Sequence, residues 1–496
     1  MQERETKLEV APEFTLPELA DGDGSVVAKP GSEQRLRTTY YDTPDMRLAR
    51  WSCNLRYRRG EGWTVKLPSG KDGPLLVRDE HVFKGRASQP PKEAVELLRA
   101  YVRNAELEPV ARLRTRRRPV ELLDRSGQRL GELADDHVEV LDGRQVMRRF
   151  RQIELELAPE APDDALDDAV ERLRGAGAEP AKVGSKYLRA LGDQEAVAPE
   201  VVPTEPERDA TALELLRHDL GAAVLRLFRH EPGVRLGEDP EAVHKARVAT
   251  RRLRSSLRSF HAVLEPGWTA RLRAETKWLS DRLGAVRDAD VLLARLERHA
   301  GELEEPDAQG VERLLKPLHG ERDAARSRLL AAMGKGRYTR LLNDLLAAAS
   351  APAVLDPGQP AAEALVPLVA KTWRKLRKEV GRAGDDPSDA HLHKIRIRAK
   401  RCRYAAEAVV PVVGKPAAQF AAAVEEVQEL LGEHHDAVVA ESWLRQASGG
   451  IGVGKRKKAR VAGQLIAAER ADAERVRARW PATWDQLDRK KLRAWF

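Results

Sequence analysis

Cysteine is nearly absent: Cys53 and Cys402 are the only two in 496 residues, and neither sits in a CxxC or His/Cys spacing. That excludes a disulfide framework and a zinc-finger type of site, and it suits a reducing cytoplasm. Long apolar runs are missing as well. No uninterrupted stretch reaches the roughly 18 residues of a membrane span, and the amino terminus is charged, so a soluble, non-exported protein with no membrane partner is expected. Aromatic residues make up only 5% of the chain, which leaves little for stacking on bases. The length excludes one ordinary core and calls for two or more domains.

Charge is plentiful and unevenly placed. Residues 1–200 carry 34 Lys and Arg against 37 Asp and Glu, and the remainder carry 53 against 41. The basic excess therefore belongs to the second part, which implies an anionic partner there. Between the parts, DQEAVAPEVVPTEPER (193–208) replaces apolar periodicity with prolines and acids and reads as an extended linker over 193–207. Before it, TTYYDT, NLRYRR-GEG-WTVKL, PVARLRTRR and FRQIELEL are strand-like, with helical breaks near PKEAVELLRAYV and DDALDDAVERLR. After it nearly everything is Ala/Leu/Arg-rich with helical periodicity. The expected fold is an α+β domain followed by an all-α helical bundle.

The first strand, MQERETKLEV, places Glu3, Glu5 and Lys7 on one face. Alone, such a pattern fits the wet face of an edge strand. It recurs, however: IELEL aligns Glu154 with Glu156, and LRYRR with WTVKL aligns Arg56 and Arg58 with Lys66 on the hairpin partner. Charges alternating on several strands point to an interior lined with charge, or to a sheet with one salt-bridged solvent face. In a packed core, unpaired charge costs several kcal/mol per group. A barrel open to water could hold clustered carboxylates around a hard cation and Arg and Lys around phosphate oxygens.

ERETK (3–7) matches an ExExK signature, and YYDT, LRYR, TVKL, RDE, TRR, IELEL and SKY follow it in order. Residues 1–192 thereby resemble the CYTH, or triphosphate tunnel metalloenzyme, family. The resemblance implies an eight-stranded antiparallel tunnel that binds a triphosphate with Mg2+ or Mn2+. By position it makes Glu3, Glu5, Glu154 and Glu156 metal carboxylates, and Lys7, Arg56, Arg58, Lys66, Arg117 and Lys186 phosphate ligands. One further acid comes from GELADDH, as Glu132, Asp135 or Asp136, with Asp136 favoured; in RTRRR, Arg116 could take the place of Arg117.

The second part contains an internal repeat. VHKARVATRRLR (243–254) aligns with LHKIRIRAKRCR (392–403), and LGAVRDADV (283–291) with LGEHHDAVV (431–439). The repeats span about 208–350 and 359–490. On a helical wheel His244, Arg247, Arg251, Arg254 and Arg258 fall within an arc of about 80°; His393, Arg396, Lys400 and Arg403 repeat it. Almost no acids interleave these stripes, so two such helices would offer a cationic surface to a linear polyanion. The stripes contain no Phe or Trp to stack bases, although Tyr404 lies beside one, and no helix-turn-helix fingerprint accompanies them, which makes sequence-specific nucleic acid a poor fit. Neither histidine is followed by a carboxylate or a second His at i+3 or i+4, which disfavours a metal role.

Residues 208–490 resemble the CHAD domain, named for conserved histidines in an α-helical fold. The resemblance implies binding of inorganic polyphosphate along the basic surface. The second half departs from the first where HHD (434–436) stands against RDAD and Glu407 against Arg258. Together the resemblances imply a metal-dependent triphosphatase acting on inorganic triphosphate or a related compound, joined to a polyphosphate-binding domain. Cytoplasmic placement, with association to polyphosphate granules, would follow. Adenylate cyclase, thiamine triphosphatase and a non-catalytic polyphosphate-binding protein are the alternatives.

Overall fold

The alternation of apolar and charged residues before residue 160 builds strands, and the strands close on themselves. A computed structural model of the chain describes residues 2–20, 26–72, 75–181, 186–192, 198–303, 307–384, 386–448 and 455–496, with the side chains of residues 2, 3, 69–72, 75–78, 455 and 456 left out. It divides into two compact units, residues 1–200 and 201–496. The division falls within the stretch read as a linker, of which 193–197 lie outside the described residues. Glu200 is tied into the first unit by Arg103, at 2.7 and 2.8 Å. In the second unit Val201 and Pro203 lie against Gly221.

The strands of the first unit are β1 (Gln2–Val10), β2 (Val26–Pro30), β3 (Gln34–Asp42), β4 (Asn54–Arg58), β5 (Gly62–Asp72), β6 (Leu75–Phe83), β7 (Glu108–Asp124), β8 (Arg129–Asp142), β9 (Gln145–Leu157) and β10 (Glu179–Pro180). Their order is β1-β6-β5-β4-β3-β7-β8-β9, and β9 pairs back onto β1. Eight antiparallel strands thus form the expected closed barrel, and β2 and β10 add short pairings to β7 and β1. Short helices α1 (Arg47–Arg50), α2 (Lys92–Leu97), α3 (Arg99–Val102), α4 (Asp167–Gly175) and α5 (Lys186–Leu191) complete the unit.

Period two decides which side chains face in. Leu8, Leu133, Ile153 and Leu155 point outward and are almost inaccessible, packed with Ala169 and Leu173 of α4. Each such side chain stabilises the wall by about 1.5–3 kcal/mol. The alternate positions carry the charges. Further along the same strands the inner face turns apolar: Tyr40, Leu113, Val138 and Phe150 form a cluster with Tyr187 of α5, and Tyr187 stacks on Tyr40 at 5.2 Å.

The second unit is helical: α6 (Ala212–Leu236), α7 (Pro240–Ser259), α8 (Pro266–Gly301), α9 (Ala308–Met333), α10 (Gly336–Ser350), α11 (Ala361–Ala383), α12 (Asp389–Ala408), α13 (Val410–Val413), α14 (Lys415–Ser448) and α15 (Lys455–Leu487). Local chemistry sets the starts. Thr211 and Glu214 form a capping box on α6, Asp239 precedes Pro240 at the start of α7, and Ser388 caps α12. The repeat seen in the sequence is structural. The segments entering α6 and α11 pair through Thr211 and Pro360, α7 packs between α6 and α8, α12 packs between α11 and α14, and α7 meets α12. Among the described residues no helix is long and apolar enough to cross a membrane.

Candidate functional site

Cross-strand register assembles the barrel's inner charges into rows. Glu5 of β1 stands opposite Glu156 of β9, which stands opposite Glu132 of β8. The next row holds Lys7 and Glu154. Lys7 Nζ lies 2.9 Å from Glu5 and 3.4 Å from Glu154. Arg117 donates to both oxygens of Asp136, at 2.9 and 2.8 Å, and to Glu154 at 3.2 Å. Lys186, at the start of α5, reaches Asp136 at 2.6 Å and bonds Glu154. Burial disfavours the Glu154 carboxylate, but the Lys186, Lys7 and Arg117 cations outweigh it and hold the carboxyl well below the usual range.

A second group faces the same interior from β4, β5 and β6. Glu80 pairs with Lys66 at 2.9 Å and with Arg56 at 3.5 Å. Arg58 lies further along, hydrogen-bonded to Thr38 at 3.2 Å and to Glu61 of the hairpin. Burial raises the Glu156 carboxyl above its ordinary range; Glu5, Glu132 and Glu80 push the same way, against Lys66. Those carboxylates therefore converge.

The interior contains Glu5, Lys7, Arg56, Arg58, Lys66, Glu154 and Glu156, which alternate along their strands, and with them Arg117, Asp136 and Lys186, which only the family resemblance had singled out. Glu3 is in β1, and its side chain lies outside the described residues. Arg117 points inward while Arg116 is exposed on the outer face. Asp136, favoured as an additional metal ligand, is fully buried with both oxygens engaged by Arg117, and Lys186 reaches one of them. Glu132, in the row of Glu5 and Glu156, is half-buried. Asp135 faces outward and pairs with Arg151. Glu80 and Gln152 were missed as site residues. Glu80 ends the RDE motif, and Gln152, two residues before Glu154, donates to it at 3.2 Å.

Because α7 packs on α12, their basic stripes meet in the helical unit. Arg247 donates to Asp288 of α8 at 2.7 Å, and its counterpart Arg396 lies 3.9 Å from Asp436 of α14. Each guanidinium passes a repeat-matched glycine: a methyl group at Gly284 would lie 3.8 Å from Arg247, and one at Gly432 would lie 3.6 Å from Arg396. Lys400 sits among Arg251, Arg396 and Arg247. Arg254 bonds Ser280 at 3.3 Å. Beyond it Arg258 faces Arg273 and Arg398, and Arg401 joins them. Arg403 instead turns to Glu407 and Glu425, at 2.6 and 2.7 Å, and Glu407 also pairs with Arg252.

Residues 1–184 match the CYTH domain family and residues 218–445 the CHAD domain family. "Uncharacterized protein Rv2226" of Mycobacterium tuberculosis (strain ATCC 25618 / H37Rv) is 32% identical over 520 residues, covering 99% of this chain and 97% of that protein. The chain belongs to the CYTH–CHAD family. Among solved structures it is similar to PptA from Streptomyces chartreusis, at 25% identity and TM-score 0.46, over 56% of this chain and 99% of that one. It is also similar to the CHAD domain from the plant Ricinus communis, at 30% identity and TM-score 0.43, over 59% and 96%.

CYTH domains are typically triphosphate tunnel metalloenzymes, and the CYTH unit's donor set fits a divalent cation. Glu5 Oε1 is buried and accepts no well-directed hydrogen bond, and Glu156 carries the mutual repulsion of three further carboxylates. Oxygen donors of that kind suit Mg2+ or Mn2+. In the CHAD unit, His299, Glu469 and Asp472 bring ligand atoms within 4.8 Å of one another. There Arg295 already supplies the positive charge, at 2.6 Å from both carboxylates.

Proposed function

We propose that the CYTH unit is a metal-dependent triphosphatase acting on inorganic triphosphate or a related organic triphosphate, and that the CHAD unit binds inorganic polyphosphate. The observation that carries this reading is one closed interior holding a carboxylate row, Glu5–Glu156–Glu132, beside the cations Lys7, Arg56, Lys66, Arg117 and Lys186. We assign the metal to that row together with Glu3 and, at its edge, Glu154. Glu132 rather than Asp136 completes the row, because Asp136 stands two rows away, opposite Gln152, with both oxygens engaged by Arg117.

A divalent cation held there would supply Lewis-acid stabilisation of phosphate oxygens. The chain's own residues do the rest. Arg117 and Lys186, fixed by Asp136 and Glu154, present N–H groups to the phosphate oxygens, and charge developing on the leaving phosphate is met without reorganisation. Lys66 and Arg56, held by Glu80, bind the other end of the chain of phosphates. The Arg and Lys set matches a polyanion longer than pyrophosphate, which would leave several of them unpaired.

The test is phosphate and cyclic-nucleotide release from triphosphate, pyrophosphate, ATP, thiamine triphosphate and long-chain polyphosphate, each with Mg2+ and with Mn2+. The expected result is phosphate release with triphosphate strongly preferred over pyrophosphate in kcat/KM, abolished in Glu5→Gln with the fold intact. Cyclic nucleotide as the main product would make the unit a cyclase, thiamine triphosphate as the best substrate would rename it, and no turnover would leave a binding module.

A further inference from the structure

The two halves of the CHAD unit share one helical frame, and two of the positions at which they differ lie near each other. Where the first repeat has Arg251 and Arg287, the second has Lys400 and His435. Both permanent cations have been replaced by groups able to lose a proton.

Geometry shows what surrounds them. His435 of α14 meets His393 of α12 with Nδ1 to Nδ1 at 3.1 Å and ring centroids 4.2 Å apart. Such a contact accommodates one hydrogen, not two, so the pair as it stands carries at most one imidazolium. The charged groups around Lys400 and His435 are Arg396 and His393 on α12, Arg247 and Arg251 on α7, Asp288 on α8 and Asp436 on α14. The two acids face Arg396 and Arg247. Burial, then Arg251, Arg396 and Arg247, push the Lys400 ammonium down to about 6. Burial, then Arg396, His393 and Lys400, push His435 to about 4. With no anion present, neither base keeps its full charge at neutral pH.

An incoming polyanion leaves the burial in place but reverses the repulsion by the neighbouring cations. Its oxygens accept from both imidazoles where one hydrogen had to be shared, and its charge screens Lys400 from the arginines. We infer that His435, which lies outside the repeated basic stripe, is a polyphosphate ligand, and that the second repeat, through His435 and Lys400, takes up protons as it binds the chain. This rests on the polyphosphate reading of the CHAD unit. The sign follows from linkage: bases depressed in the free protein and raised in the complex gain protons on association, so affinity strengthens as pH falls.

The test is calorimetric titration of the full chain with long-chain inorganic polyphosphate from pH 5 to 8 at fixed ionic strength, in buffers of different ionisation enthalpy. Wild type should take up about one proton per binding event near pH 7, with affinity falling about tenfold per pH unit there. Lys400→Arg/His435→Arg, which gives the second repeat the residues of the first, should still bind polyphosphate with a nearly flat pH profile and little uptake. The ligand's own titration is common to both proteins and cancels. Wild-type binding without proton uptake would overturn this inference and leave the polyphosphate reading standing. Failure to bind at pH 5 and low salt would overturn both. Uptake between pH 5 and 6 unchanged in His435→Arg alone would remove His435 from the site.

Discussion

Glu132 and Asp136 lie on one face of one strand, yet their surroundings assign them different work. Asp136 is fully buried and accepts from Arg117 and Lys186; Glu132 stands in a row of carboxylates. Asp136→Asn would leave the buried Lys186 and the half-buried Arg117 short of a partner, and removing one member of such a buried group costs about 3–5 kcal/mol. Its unfolding midpoint in urea should fall clearly. Glu132→Gln should unfold near wild type but need roughly tenfold or more metal for half-maximal hydrolysis, as the loss of a charged oxygen ligand implies. If Asp136→Asn were the variant with the raised metal requirement and unchanged stability, the two assignments would exchange. The alternation in IELEL and ERETK made the inner face legible from sequence. The sequence favoured Asp136 over Glu132 without a physical ground for the choice, because period two places both on that face, and the difference comes from a cation on β7 and another 50 residues away on α5.

At the level of elements, α5 matters because it carries Lys186 into the barrel. Its position depends on the next residue: Tyr187 donates to Asp42 at the end of β3, and the same carboxylate accepts from the backbone N–H groups of Thr43, just after the strand, and of Leu48 and Ala49 in α1. Burial, reinforced by the Asp42 charge and hydrogen bond, pushes the Tyr187 hydroxyl far above its ordinary value, so it remains a donor at any working pH. Tyr187→Phe removes one bond to a buried carboxylate, which costs about 1–3 kcal/mol, and loosens Lys186. Stability by chemical denaturation and kcat for triphosphate should both fall; unchanged values would show that α5 is held by the Tyr40 stack alone. The motifs YYDT and SKY were visible in the sequence, but their union through Asp42 and Tyr187 spans 145 residues. The helical repeat was legible in the same partial way. Its basic stripe lies on α7 and α12; Glu407, four residues after Arg403, falls within an i,i+4 reading, whereas Asp288 and Asp436 come from neighbouring helices and escape it.

Across the whole molecule, charge separates the two proposed tasks along the chain. Every residue assigned to metal or triphosphate precedes residue 193, and the basic excess and both stripes follow residue 208. Reversing Arg251 and Lys400 to Glu strikes the place where α7 meets α12, where each removes one contact to the polyanion and adds a repulsion. A charged hydrogen bond contributes roughly 1–3 kcal/mol, so polyphosphate affinity should weaken by several kcal/mol in total. It should also depend less steeply on salt, because fewer counterions are released per bound chain. Triphosphate hydrolysis by the same double variant should stay near wild type, measured as kcat/KM with the preferred metal. A matched titration with single-stranded DNA of equal charge completes the comparison: the stripes lack the aromatics that would stack bases, so polyphosphate should bind more tightly. Equal binding of the two polymers, or full retention of polyphosphate by the double variant, would reassign the stripe to nucleic acid in the first case and to helix packing in the second.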